Sequence, residues 1–91
     1  MSEEFTDNTA KSRFEYHISG DVVFANYRLK DNTLFIDYVE APPQLRGSGA
    51  AGKLMEYIMQ TAKRNSYKVT PICGYAALWL RRHPEHEEFL N

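Results

Sequence analysis

The residues best suited to chemistry lie in the stretch Gln44-Leu45-Arg46-Gly47-Ser48-Gly49-Ala50-Ala51-Gly52-Lys53. Glycines at this density, just ahead of an apolar helical repeat, suit a bound polyphosphate. Backbone N–H groups converge at a helix N-terminus, the helix dipole adds positive potential, and residues without a Cβ let the anion approach closely. Two phosphate loops fit the spacing. Gly47-x-x-x-x-Gly52-Lys53 spells most of a nucleotide-binding P-loop, but that motif needs Ser or Thr after the lysine to bind magnesium, and position 54 is an apolar Leu. Gln44-x-x-Gly47-x-Gly49 asks only for a pyrophosphate cradled by Gly47 and Gly49, with Arg46 and Lys53 as mobile cations. The plain alternative is a strand-to-helix turn flanked by two solvated charges.

Downstream, Thr70-Pro71 reads as an N-cap followed by proline at the first helical position, which places Cys73 in a helix's first turn. There the unpaired N–H groups and the dipole favour a thiolate, a nucleophile for an acyl donor. The plain alternative is a small buried hydrophobe, and both readings stand. Tyr75, one turn into that helix, is either a phenol able to hydrogen-bond or protonate a departing group or a core aromatic. His83 is expected to cap the helix end. His83-x-x-His86-Glu87 has the spacing of two metal ligands on one helical face, but Pro84 lies between them and no other ligands cluster nearby, so no metal is expected. His17 is assigned to the surface, and Trp79, Phe24, Phe35 and the tyrosines to core and rim.

These residues need elements to position them, and 91 residues make one domain. Residues 1–11 lack periodicity and are expected to form a disordered tail, leaving residues 12–91 as the folded unit. Phe14, Tyr16 and Ile18 alternate with Arg13, Glu15 and His17, the pattern of a half-buried strand, and Ser19-Gly20-Asp21 supplies a turn. Strands are expected at Val22–Leu29 and Leu34–Val39, completing an antiparallel meander that Pro42-Pro43 ends near Glu40. Such a meander in so short a chain leaves no room for the parallel sheet a P-loop caps. Ala51, Leu54, Met55, Ile58 and Ala62 recur at helical spacing, and Asn65 is placed to close that helix in a left-handed conformation. Tyr67–Val69 is a short strand returning parallel to one already present. The second helix runs to about Arg82, and one last turn begins at Pro84.

A net charge of −1 gives no field to attract nucleic acid. No apolar run is long enough to cross a bilayer. The polar, acidic N-terminus lacks the features of a secretory signal, so a cytoplasmic protein is expected.

Gln44-Leu45-Arg46-Gly47-Ser48-Gly49 resembles the acetyl-CoA loop of the GNAT N-acetyltransferase superfamily. Lys68-Val69-Thr70-Pro71-Ile72-Cys73-Gly74-Tyr75, with Arg82-His83-Pro84-Glu85 beyond it, resembles a branch of short GNAT-like proteins described as YidJ- or NATD-like. Gly74 and His86 depart from that branch, which has proline and tyrosine there. The resemblance implies a minimal GNAT-like α/β (α+β) fold with a mostly antiparallel four-stranded sheet and two main helices. It implies acetyl-CoA between two splayed parallel strands, against Val39 and Glu40, with its pyrophosphate on the loop Leu45, Arg46, Gly47, Ser48, Gly49 and Ala50; Gln44 and Lys53 complete the cofactor-binding candidates. The resemblance places Cys73 beside the acetyl group, and Cys73 and Tyr75 are the catalytic candidates. Full-length GNAT enzymes also have helices between their first strands and further strands after their last helix. This chain has neither, so its acceptor side is open, borrowed or absent. Two functions follow: acetyl transfer to an amine on a small molecule or protein, or an acyl-CoA-binding module without turnover.

Overall fold

The computed structural model describes residues 3–90. One sheet holds five strands in chain order: β1 (Glu3–Asn8), β2 (Arg13–Ile18), β3 (Asp21–Lys30), β4 (Thr33–Glu40) and β5 (Lys68–Pro71). The first four pair antiparallel and β5 lies parallel to β4. Helix α1 (Ala50–Asn65) makes the crossover between β4 and β5, and α2 (Gly74–Arg81) follows β5. Short 3₁₀ segments occupy Thr9–Lys11, Pro43–Leu45 and Pro84–Phe89.

The α+β architecture matches the expectation, but the sheet has five strands rather than four. The extra one comes from the segment expected to be a disordered tail, of which Met1 and Ser2 lie outside the described residues. The ring of Phe5 stacks on Tyr16 at 4.3 Å and on Tyr57 of α1 at 5.0 Å. Tyr16 Oη donates to Glu3 at 2.7 Å, and Tyr27 Oη to Asp7 at the same distance. A single aromatic with carboxylates on either side is too sparse a pattern to signal a strand, yet it docks on rings that already need a cover.

Both helices share one core with the sheet. Phe14, Tyr16, Val23, Ala25, Leu34, Ile36 and Val69 from the strands meet Leu54, Met55, Ile58, Met59 and Ala62 of α1 and Ala76, Trp79 and Leu80 of α2. Leu54, Met55, Ile58 and Ala62 belong to the 3.6-residue stripe that the sequence displays; Met59 joins them, and Ala51 lines the cleft described below instead. Gly52 lets the helices approach, since a Cβ there would sit 3.3 Å from Trp79 Nε1. Asn65 ends α1 but does not take the left-handed turn. Ser66 does, at φ 59°, while the Asn65 side chain donates to the Thr61 carbonyl. Among the described residues no helix is long and apolar enough to cross a membrane.

Register decides the rest. Asn26 pairs with Tyr38 but Tyr27 pairs with Ile36, so Asp37 is an extra residue, a bulge in β4. Arg28 secures it with two bonds to the carboxylate, at 2.8 and 2.9 Å. Beyond the bulge the alternation changes phase: Tyr38 turns away from the helices and is 48% exposed, whereas Val39, paired with Ala25, turns toward them.

Candidate functional site

The β4–β5 ladder ends at the pair Ile36–Pro71, immediately before the bulge. Proline has no N–H to extend the ladder, and the bulge bends the neighbouring strand. The Ile36 carbonyl accepts from both Ile72 and Cys73, at 2.9 and 3.0 Å. The chain then turns into α2, while β4 runs on to Glu40. A gap opens between the two strands.

Thr70-Pro71 is therefore not a helix start; these residues finish β5. Cys73 is the N-cap of α2 rather than a first-turn residue, half-buried, with its carbonyl accepting from Ala77 at 3.0 Å. The misreading has a physical source. Proline suits both the first turn of a helix and the end of a strand, and only the partner strand distinguishes them.

Next to the gap lies a cleft of about 440 Å³ lined by Val39, Ala41, Leu45, Arg46, Gly47, Gly49, Ala51, Gly52 and Tyr75. One wall is the loop into α1. Gly47 and Gly49 take left-handed backbone conformations, φ +82° and +89°, which glycine adopts at little cost. A Cβ built on either meets nothing within 4 Å, so both present bare backbone to open space. Arg46 N and Ser48 N bond back to Pro43 and Leu45, and Ala50 N donates to Ser48 Oγ at 3.2 Å. The amides of Gly47, Gly49, Ala51 and Gly52 have no acceptor among the described residues. Those of Ala51 and Gly52 belong to the unpaired first turn of a 16-residue helix, whose dipole adds positive potential. Unpaired amides and bare glycine backbone at a helix start are the chemistry that receives an anion.

The remaining expected residues divide. Val39, Leu45, Arg46, Gly47, Gly49 and Tyr75 line the cleft. Ala50 is buried beneath it, and Ser48 shapes the loop by donating to the Leu45 carbonyl at 2.5 Å. Glu40 meets Arg46 at 3.8 Å, while Arg46 Nε donates to the Ala41 carbonyl at 3.1 Å. Gln44 turns away and ties the loop to the β2–β3 turn through Asp21 at 2.7 Å. Lys53 lines a different groove, with Phe5, Tyr57 and Arg64. Ala41, Ala51 and Gly52 line the cleft without having been singled out as binding residues; their only sequence signal is small size beside a strand end or helix start.

Tyr75 is 40% exposed, and its phenol is pushed above the usual tyrosine range by burial and then by the nearby Cys73. It stays protonated at neutral pH, a donor facing the cleft. Tyr38 hydrogen-bonds Glu40, which raises its phenol too, and Cys73 adds a smaller push. Both phenols, Tyr38 and Tyr75, thus stay protonated at neutral pH.

The family model described as GCN5-related N-acetyl-transferase matches residues 13–89, and the chain belongs to that family. Its fold is similar to the NMR solution structure of a GCN5-like protein from Staphylococcus aureus. The TM-score is 0.77 at 20% identity, with 97% of this chain and 87% of that one covered. No curated protein matches the sequence.

Proposed function

We propose that this chain binds acetyl-CoA in the cleft and catalyses acetyl transfer to an amine, within the branch of short GNAT-like proteins that its Cys73 and His83-Pro84 motifs resemble. The observation that carries this is the set of four unpartnered amides at the head of α1, beside an apolar cleft that reaches Tyr75. Acetyl-CoA supplies the activated acetyl group. The loop amides hold the pyrophosphate, Val39 and Ala41 give the apolar wall, and Tyr75 offers a proton where the thiolate departs. Cys73 either walls the thioester or accepts the acetyl group on Sγ before the amine takes it. The face of the sheet opposite the helices carries no helix among the described residues, which also suits an acyl-CoA module that presents its ligand to a partner.

Calorimetry tests the cleft. Coenzyme A should bind and ATP should not. Gly49→Val should weaken coenzyme A binding by at least about tenfold, or about 1.4 kcal/mol. Asp31, at φ 52° in the β3–β4 turn at the other end of β4 from the loop, is the control: Asp31→Val imposes left-handed backbone strain of the same kind and should leave affinity unchanged. Equal affinity in a folded Gly49→Val protein would overturn the loop assignment. Mass spectrometry of a panel of amines incubated with acetyl-CoA and protein tests turnover. Release of free coenzyme A no faster than background would leave the binding module. Cys73→Ala decides the route: lost turnover with retained binding supports a covalent step, and unchanged turnover supports direct transfer.

A further inference from the structure

At the C-terminal end of α2, away from the cleft, three potential ligands converge from separate parts of the chain. Glu56 of α1, His83 beyond α2 and Glu85 of the last 3₁₀ segment each bring a ligating atom to within 4.8 Å of one another. The expectation of no metal rested on Pro84 and on the lack of further ligands near His83 and His86. The fold supplies Glu56 from another helix.

The histidines around this cluster are prepared in different ways. His83 Nδ1 lies 2.7 Å from the Trp79 carbonyl. A carbonyl only accepts, so Nδ1 carries a proton, and in the neutral ring Nε2 is then the nitrogen with the lone pair that binds metal. The His83 ring is also fixed by stacking on Trp79, with centroids 3.8 Å apart and planes 14° from parallel. His86 is 4% exposed and sets Nε2 3.0 Å from Oε1 of Glu56. A carboxylate only accepts, so this nitrogen donates and holds Glu56 in place, as outer hydrogen bonds do around metal ligands. Its Nδ1 is buried and has no partner among the described residues. A buried imidazole satisfied on one side only is costly in a core with no polar purpose.

We propose that Glu56, His83 and Glu85 bind one divalent transition-metal ion, with His86 positioning the Glu56 carboxylate. One imidazole nitrogen and two carboxylate oxygens suit zinc and its neighbours in the first transition row; calcium prefers six or more oxygens. The bound ion joins α1, the end of α2 and the last 3₁₀ segment, and its role is structural.

The chain supplies its own reporter, because Trp79 is its only tryptophan and stacks on His83. Titration of the metal-free protein with zinc chloride by calorimetry should show one site per chain, and cobalt(II) should quench Trp79 fluorescence with one-to-one saturation. His83→Gln and Glu56→Gln should each weaken binding by about tenfold or more. Glu85 is exposed, so Glu85→Gln tests the ligand set without disturbing packing and should weaken binding as well. His17→Gln and Cys73→Ala, which remove the other imidazole and the thiol, should leave it unchanged. The proposal is overturned if the wild type shows no saturable binding of zinc or cobalt. It is equally overturned if binding survives in folded Glu85→Gln and His83→Gln proteins, or if it disappears with Cys73→Ala or His17→Gln.

Discussion

Glu15 is held as a carboxylate on the face of the sheet that carries no helix. It is 7% exposed, with Arg13 Nε at 2.8 Å, His17 Nε2 at 2.9 Å and Asn8 Nδ2 at 3.2 Å. The Arg13 hydrogen bond does most to lower its pKa to about 2, against burial, which acts to raise it; His17 and Asn8 assist. A carboxylate whose folded pKa is depressed adds stability above its unfolded value, near 4.5, and loses that stability as pH falls toward 2. The contribution at neutral pH is on the order of 2 kcal/mol. Urea denaturation should therefore show the wild type losing about that much stability between pH 4.5 and pH 2 relative to Glu15→Gln, whose curve should be flatter there. Parallel curves across this interval would mean that the network does not hold the charge.

At the scale of elements, β1 is the strand whose contribution is most open to measurement. It lies at the edge of the sheet, and Phe5 joins it to both the sheet and α1 through Tyr16 and Tyr57. Phe5 is only partly buried, so Phe5→Ala should cost about 2 kcal/mol, below the usual figure for a phenylalanine deep in a core. Chemical denaturation measures this directly; an unchanged midpoint and slope would show that the strand frays from the sheet in solution. The bulge at Asp37 is an element-scale device too. It ends the β4–β5 pairing and turns Val39 toward the cleft, so the candidate site is a product of strand geometry as much as of the glycine loop.

The whole molecule is a small core under one layer of helices, and a domain of this size has little stability to spare. Ligand binding should therefore register strongly in its unfolding. At a hundredfold excess over Kd, coenzyme A should add about 2.7 kcal/mol and raise Tm, whereas ATP at the same concentration should leave Tm unchanged. The rise should shrink in Gly49→Val and persist in Asp31→Val. A Tm insensitive to coenzyme A across the range in which calorimetry reports binding would place that binding outside the folded state.

The sequence by itself determined what local chemistry can encode. The period-two alternation of Phe14, Tyr16 and Ile18 marks a strand, the stripe from Ala51 to Ala62 marks α1, and Gly47 and Gly49 mark a loop without Cβ atoms at a helix start. The GNAT-like motifs pointed to the family in the same way, because a phosphate cradle is built from contiguous residues. Only the tertiary structure decided matters in which distant residues compete or cooperate. Pro71 ends a strand instead of starting a helix because β4 lies beside it. Residues 3–8 become a strand because Tyr16 and Tyr57 offer rings to cover. Glu15 is buried on a nominally solvent-facing phase because Arg13, His17 and Asn8 satisfy it. Glu56 reaches His83 because Gly52 lets α1 pack closely on Trp79. Each outcome is set by the free energy of a contact between segments far apart in the chain, which no local pattern records.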